Sequence, residues 1–238
     1  MFLFGRPTLA LIISVALALL IGTTFHEFMH NYVAWLMGDS TPQHQKRLTL
    51  NPAVHIYWPG FLLFLIVGFP AMPLGYATIS PAGMNYPRLS FGYRLTRFQR
   101  YALAVLAGPV GSLLVAVVFA LPYRLLEATA PRLLDANLIP GNPTIFPSLG
   151  DVLFMIVFWN VLLGLFNLIP LGPLDGRTVL KLFLPDYQHY PYDRFQDQYG
   201  MYILLGLIFI GYFIPFLDIF GFLIGGPTRT LTRILLGF

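Results

Sequence analysis

Cysteine is absent from all 238 residues. Disulfides and thiolate ligands are therefore excluded, and a zinc site here must use histidine and carboxylate. Charge is scarce too: only 10% of the residues are Asp, Glu, Lys or Arg. Ordinary soluble domains carry about 25%, so that class is excluded. The acids include just two glutamates, Glu27 and Glu127, and there are five histidines, at 26, 30, 44, 55 and 189. Candidate metal ligands are therefore few. The net charge of +4 is small, and its cations lie near the ends of apolar segments. That spread marks membrane topology and excludes a nucleic-acid surface. No internal repeat or low-complexity tract is present.

Apolar length is what the chain has in abundance. Hydrophobic residues make up 57% of it, as in an all-α polytopic membrane protein. Residues 1–238 leave room for a single membrane-embedded domain. Residues 8–37 read as one long helix. The competing reading of its start is a signal peptide, but no small-x-small cleavage site follows the apolar run. Thr41–Trp58 is polar, and its alternation suggests a small β element around residues 45–58. Residues 61–73 are apolar but short and end in prolines, which suits a re-entrant or interfacial segment. Further spans are expected at 101–121, at 152–182 with a break at Pro170-Leu171-Gly172-Pro173, and at 199–224 with a kink at Pro215. The four expected spans are thus 8–37, 101–121, the first part of 152–182, and 199–224. Residues 227–238 read as an interfacial tail, with Leu231, Ile234, Leu235 and Phe238 opposite Arg229 and Arg233.

Inside the first helix stands His26-Glu27-Phe28-Met29-His30. Histidines four apart share one helix face, so both imidazoles can reach one Zn²⁺, with Glu27 beside them to take a proton from water. The motif is short and arises by chance in soluble helices. Its setting changes that. An ionisable residue at a bilayer centre costs roughly 2.5–3.5 kcal/mol on insertion scales. Three of them within five residues require compensation. His26 lies about 27 Å along a helix starting at Thr8, near the far side of the hydrocarbon layer.

Two histidines need at least one more protein ligand. Asp175, His55, His44 and His189 are the candidates. Pro170, Gly172, Pro173 and Gly176 surround Asp175 and unwind the helix there; the plain alternative is a turn at the membrane surface. Topology bears on the choice. If residues 61–73 do not cross, His26 and Asp175 lie near one face. If they cross, the two end a bilayer apart. The non-crossing arrangement puts nine cations on the metal-site side and five on the other, against eight and six for the crossing one. The positive-inside rule favours the former, with the metal site near the cytoplasmic face.

HEFMHNYVAWLMGD, RLTLNPAVHI, Ala107-Gly108-Pro109 and NLIPLGPLDG at Asn167–Gly176 occur in this order. Together they resemble the site-2 protease family of intramembrane zinc metalloproteases, and most closely its small prokaryotic members without PDZ or CBS domains. The resemblance implies that His26, His30 and Asp175 bind one Zn²⁺ per chain and that Glu27 is the catalytic base. It implies that Asn167 binds substrate or stabilises the oxyanion; the plain alternative is that Asn167 satisfies backbone freed at Pro170. It also implies a prokaryotic inner-membrane location and a substrate that is a transmembrane segment of another protein. Three positions depart from the family pattern. Ser112 stands where relatives often have Asn, and no polar role is carried to it. Tyr57-Trp58-Pro59 follows His55-Ile56 where Asp-Pro is usual, so His55 reads as a structural histidine. Arg177 stands where a second Gly is common.

The expected reaction is metal-assisted peptide hydrolysis. A substrate helix would have to unwind, and residues 47–52 could pair with it by strand addition. Two other classes remain: a metal transporter or sensor, and an inactive relative that binds membrane helices. The clustering of polar groups at one depth argues against the first, and the retained Glu27 against the second.

Overall fold

A computed structural model of the chain describes residues 8–67, 73–134, 146–214 and 218–238. Nine α-helices are found among these residues. They are α1 (Leu9–Leu36), α2 (Thr41–His44), α3 (Trp58–Val67), α4 (Arg97–Thr129), α5 (Leu149–Asn167), α6 (Gly176–Leu180), α7 (Asp186–Phe195), α8 (Met201–Phe213) and α9 (Gly226–Leu236). Three of them, α1, α4 and α5, are long and apolar enough to cross a membrane. The protein is mostly helical and is an integral membrane protein.

Those three helices form the centre. Leu11, Val15 and Leu19 of α1 meet Val115 of α4 and Met155 and Ile156 of α5 in one buried cluster. Lipid is as apolar as leucine, so this packing gains little from hydrophobicity and depends on close fit. Small residues provide it. A Cβ on Gly22 would lie 2.6 Å from Asn160 Oδ1, and one on Gly111 would lie 2.6 Å from Met29 Cγ. Both glycines therefore let a helix approach that a larger residue would hold off.

The helix α4 is longer than the expected 101–121. It starts at a capping box, in which Thr96 accepts from Gln99 N–H and Gln99 reaches back to Thr96 N–H. It also runs on past Pro122. Proline inside a membrane helix is tolerated because neighbouring groups re-satisfy the freed backbone. Arg124, on this extension, donates to the carbonyls of Leu235 and Ile234 at the end of α9. The extension is thereby tied to the end of the chain.

The backbone before α3 and the backbone at 74–76 meet. Tyr57 N–H donates to Leu74 O at 2.9 Å, and Tyr76 N–H donates to His55 O at 3.0 Å. α3, ten residues long, reaches only about 15 Å. No strand forms around residues 45–58; an isolated antiparallel bridge joins Ile56 and Gly75 instead. The reason is local: Asn51 Oδ1 accepts from Ala53 N–H at 3.0 Å, and Pro52–Val54 turn as a short 3-10 helix. The extended stretch lies later, at 74–80.

The expected span at 199–224 does not form one helix among the described residues. α8 has 13 residues, about 20 Å by its rise, short of a roughly 30 Å hydrocarbon layer. The expected kink at Pro215 lies outside the described residues. The tail, α9, buries one face against the helices of the centre. Thr228, Thr232 and Leu236 face inward, and Leu236 packs against Ala116, Ala120, Val157 and Val161. Leu231, Ile234 and Phe238 are exposed.

The helix contact at Gly22 is directly testable. Gly22→Val should lower stability by about 1–3 kcal/mol, as overpacking does, and lower the thermal unfolding midpoint in detergent. An unchanged midpoint would show that α1 and α5 do not depend on this approach.

Candidate metal centre

The site is built on α1. Its i, i+4 repeat aligns His26 and His30 on the face toward α4 and α5, with Glu27 on the adjoining flank. All three are buried, at 4%, 5% and 9% exposure.

The third group arrives from 149 residues away. α5 ends at Asn167, and Pro170 and Pro173 cannot continue it. The chain then folds back on the helix end. A Cβ on Gly176 would overlap the carbonyls of Leu168 and Ile169, so the fold-back needs glycine there. It carries Asp175 Oδ2 to 3.2 Å from His26 Nε2 and 3.3 Å from His30 Nε2. The two Nε2 atoms are themselves 3.1 Å apart. One ligand atom from each of the three residues lies within 4.8 Å of the others.

The opposite ring nitrogens are held by α4. His26 Nδ1 is 2.9 Å from Ser112 Oγ, and His30 Nδ1 is 2.9 Å from Ala104 O. A carbonyl only accepts, so Nδ1 of His30 carries the proton and Nε2 keeps its lone pair for a metal. The Ser112 hydroxyl can accept in the same way from His26 Nδ1–H. Between these two residues, Gly108 faces the pair directly. A Cβ there would overlap His30 Nε2 and lie 2.8 Å from His26 Nε2. Ala104, Gly108 and Ser112 are spaced by four, so one face of α4 backs both imidazoles.

Ser112 and the Ala104 carbonyl were not anticipated from the sequence. The spacing of four about Gly108 was the available signal. The other histidines lie elsewhere. His55 is fully buried, and its Nε2–H donates to Thr49 O at 2.7 Å. Burial holds its imidazole below the ordinary histidine value, which suits a neutral structural residue. His44 is exposed on α2. His189 Nε2–H is shared between Lys181 O and Leu184 O. Asn167 donates to Leu163 O at 2.9 Å, within its own helix. Arg177 is paired with Asp193 and Asp197.

His26, Glu27, His30, Asp175 and Asn167 line one cavity of about 1650 Å³, whose walls are mainly apolar side chains of α1, α5 and α8. Beside the site runs the extended stretch 74–80. Asn31 Nδ2 donates to Glu27 O at 2.7 Å, while Asn31 Oδ1 accepts from Thr78 N–H at 3.1 Å. Arg47 donates to Tyr76 O at 2.9 Å, and Asp39 accepts from Ser80 N–H at 2.6 Å. Gly75 lies against Glu27: a Cβ there would be 3.0 Å from Oε1.

A membrane protein with a His-Glu-x-x-His helix and a converging distant carboxylate has the ligand set of a zinc metallopeptidase. Comparison with known proteins agrees. The family model for Peptidase family M50 matches residues 14–211, and the chain belongs to that family, which is the site-2 protease family. A Bacillus subtilis (strain 168) protein named "Putative zinc metalloprotease YwhC" is 33% identical over 181 residues, covering 74% of this chain and 72% of that one. No solved structure matches the chain. The protein is a metallopeptidase of the membrane.

The support from α4 yields a graded prediction. Ser112→Ala should weaken zinc affinity about tenfold, as loss of a partner to a ligating histidine does. Gly108→Ala should weaken it more, because its Cβ displaces both rings. Competition with a chromophoric chelator measures both, and wild-type affinity in Gly108→Ala would refute the packing argument.

Proposed function

We propose that this protein is an intramembrane endopeptidase. It hydrolyses a peptide bond in or next to a transmembrane segment of another membrane protein, with one Zn²⁺ per chain held by His26, His30 and Asp175. The observation that carries this reading is the convergence of three ligand atoms beside a buried glutamate, in a mainly apolar cavity lined by helices long enough to cross a membrane. The donor set fits zinc. It offers two imidazole nitrogens and one carboxylate oxygen, and α4 leaves both Nε2 atoms free to ligate.

When bound, zinc supplies Lewis-acid polarisation of the scissile carbonyl and lowers the pKa of a water. The residues of the chain do the rest. Glu27 accepts the proton of the attacking water and later passes it to the leaving amine. The Ala104 carbonyl keeps His30 in the ligating tautomer, and the Ser112 hydroxyl, accepting from His26 Nδ1–H, does the same for His26. Asn167 uses one amide N–H on Leu163 O and has its second N–H for a substrate carbonyl or the developing oxyanion.

A transmembrane helix keeps its carbonyls internally bonded and must unwind before cleavage. The stretch 74–80 is better suited to receive it than the expected residues 47–52. Leu74, Tyr76, Thr78 and Ser80 turn backbone groups toward the protein. Among the described residues the N–H and C=O of Gly75, Ala77 and Ile79 have no hydrogen-bond partner. That alternation is an open strand edge beside Glu27, and an unwound substrate adds to it as a further strand.

The same geometry supports a re-entrant α3, with α8 contributing to a fourth crossing. His26 and Asp175 then share one side, which the cation count makes cytoplasmic in a prokaryotic inner membrane. One membrane-embedded protease domain, in contact with lipid, accounts for residues 1–238.

Two experiments test this reading. Glu27→Gln should keep its zinc but lose about 10²–10⁴-fold in cleavage rate of single-span proteins in proteoliposomes. Undiminished cleavage would remove Glu27 as the base, and zinc-loaded wild type that cuts no membrane segment would leave a helix-binding protein. Ala77→Pro, which deletes one N–H of the open edge, should lower kcat/KM severalfold at unchanged zinc content. Wild-type kcat/KM in that variant would sink the strand-addition step.

A further inference from the structure

Asp175 is the one proposed ligand that stands on a broken helix end, and the loop before it is poor in backbone pairing. Pro170 and Pro173 have no N–H to offer. Leu171 N–H turns back to Ile169 O and Leu174 N–H to Leu171 O. Gly172 N–H has one partner, the side chain of Gln196, whose Oε1 accepts at 2.7 Å. The same amide donates Nε2–H to Pro170 O at 3.1 Å. Gln196 thus grips the loop at both polarities, as a neighbouring strand would. It is buried, at 4% exposure.

The neighbourhood is shaped for this grip. Gln196 opens the π-helical turn Gln196–Gly200 after α7. A Cβ on Gly200 would lie 2.7 Å from Gln196 Oε1 and 3.1 Å from the backbone N and O of Gly172. Glycine there lets the turn come against the loop. Tyr192 adds a hydroxyl donor to Pro170 O at 3.0 Å. Beyond the ligand, Lys181 meets Asp193 at 2.6 Å and Arg177 meets Asp197 at 2.6 Å. Asp197 is 68% exposed, and exposed ion pairs contribute little. The buried amide is the stronger candidate for holding the loop in place.

We infer that Gln196 is a positioning residue for the metal site. It acts through the 170–176 loop to hold Asp175 Oδ2 against the His26 and His30 nitrogens. The inference rests on the proposed ligand set, and it extends that set to an element the metal does not touch.

The test is zinc affinity of the purified full chain, measured by chelator competition with zinc alone as the probe. Five proteins are compared: wild type, Gln196→Met, Gln196→Glu, Asp175→Ala and the double variant Asp175→Ala/Gln196→Met. Gln196→Met keeps the length of the side chain and loses both hydrogen bonds. It should weaken zinc binding about tenfold, the lower end for a group that orients a ligand. Gln196→Glu keeps the acceptor for Gly172 N–H and should lose less. Added to Asp175→Ala, Gln196→Met should change affinity by less than about twofold, because its route to the metal is already gone. Wild-type affinity in Gln196→Met overturns the inference, and so does an equal loss in both backgrounds, which would mark general destabilisation. If Gln196→Met does not fold, Gln196→Glu decides: wild-type affinity there overturns the inference. Wild-type affinity in Asp175→Ala is a separate outcome, since it removes Asp175 from the ligand set itself.

Discussion

Three ionisable side chains meet among helices long and apolar enough to cross a membrane, and the rest of the molecule follows from having to satisfy them. Asp175 lies 3.2 and 3.3 Å from the two histidine nitrogens, where neither water nor distant charge compensates cheaply. The meeting fixes the register of three helices at once. α1 must present its histidine face, and α5 must break early enough to turn a carboxylate back. α4 must lie close enough for Ala104 O and Ser112 Oγ to reach the far ring nitrogens at 2.9 Å. Close approach explains why glycines stand at 22, 108, 111 and 176. Each faces a neighbour that a Cβ would displace. In lipid, where apolar burial separates helices no worse than it joins them, fit and polar pairing are what remain to hold such a bundle.

How legible this was depended on whether the signal ran along the chain or across it. His26, Glu27 and His30 were legible because i, i+4 spacing is local. Asp175 was legible because proline and glycine around an isolated acid mark a break. Ser112 was not, because its partner stands 86 residues away on another helix and the chain itself gives no register between helices. The strand expected around 45–58 failed for a local reason: Asn51 caps a turn at Pro52 and stops the alternation. The extended stretch 74–80 was missed because it owes its shape to Asn31, Arg47 and Asp39, none of them near in sequence. The span expected at 101–121 runs on through Pro122, because neighbouring groups re-satisfy the backbone it frees.

Arg177 shows how a departure from a family pattern is absorbed. A residue with a second glycine's freedom would leave α6 without side-chain ties. Arginine there meets Asp193 and Asp197 instead, so the turn after the ligand gains an anchor to α7 and the residues following it. Gln196 anchors the turn before the ligand. The loop bearing Asp175 is held on both sides by one element, and that element is the region where the helical path passes through a π turn. Such turns interrupt regular helix pairing and commonly mark functional positions. Here the interruption aims an amide at a backbone that has lost its own partners.

The open edge and the turn of α1 bearing Glu27 share one joint, and this makes their combination more informative than either alone. Asn31 accepts from Thr78 N–H and donates to the carbonyl of Glu27. The extended stretch is therefore registered to the turn of α1 that carries the proposed base. A substrate strand added at Gly75, Ala77 and Ile79 would be fixed in register by its backbone pairing, whatever its side chains. The scissile bond would then be chosen chiefly by where a helix unwinds and how far the freed backbone slides along that edge. In hydrocarbon each unpaired backbone group costs several kcal/mol. Unwinding is thus favourable only where replacement partners wait; among the described residues, those of Gly75 lie against Glu27, and those at 77 and 79 follow along the same stretch.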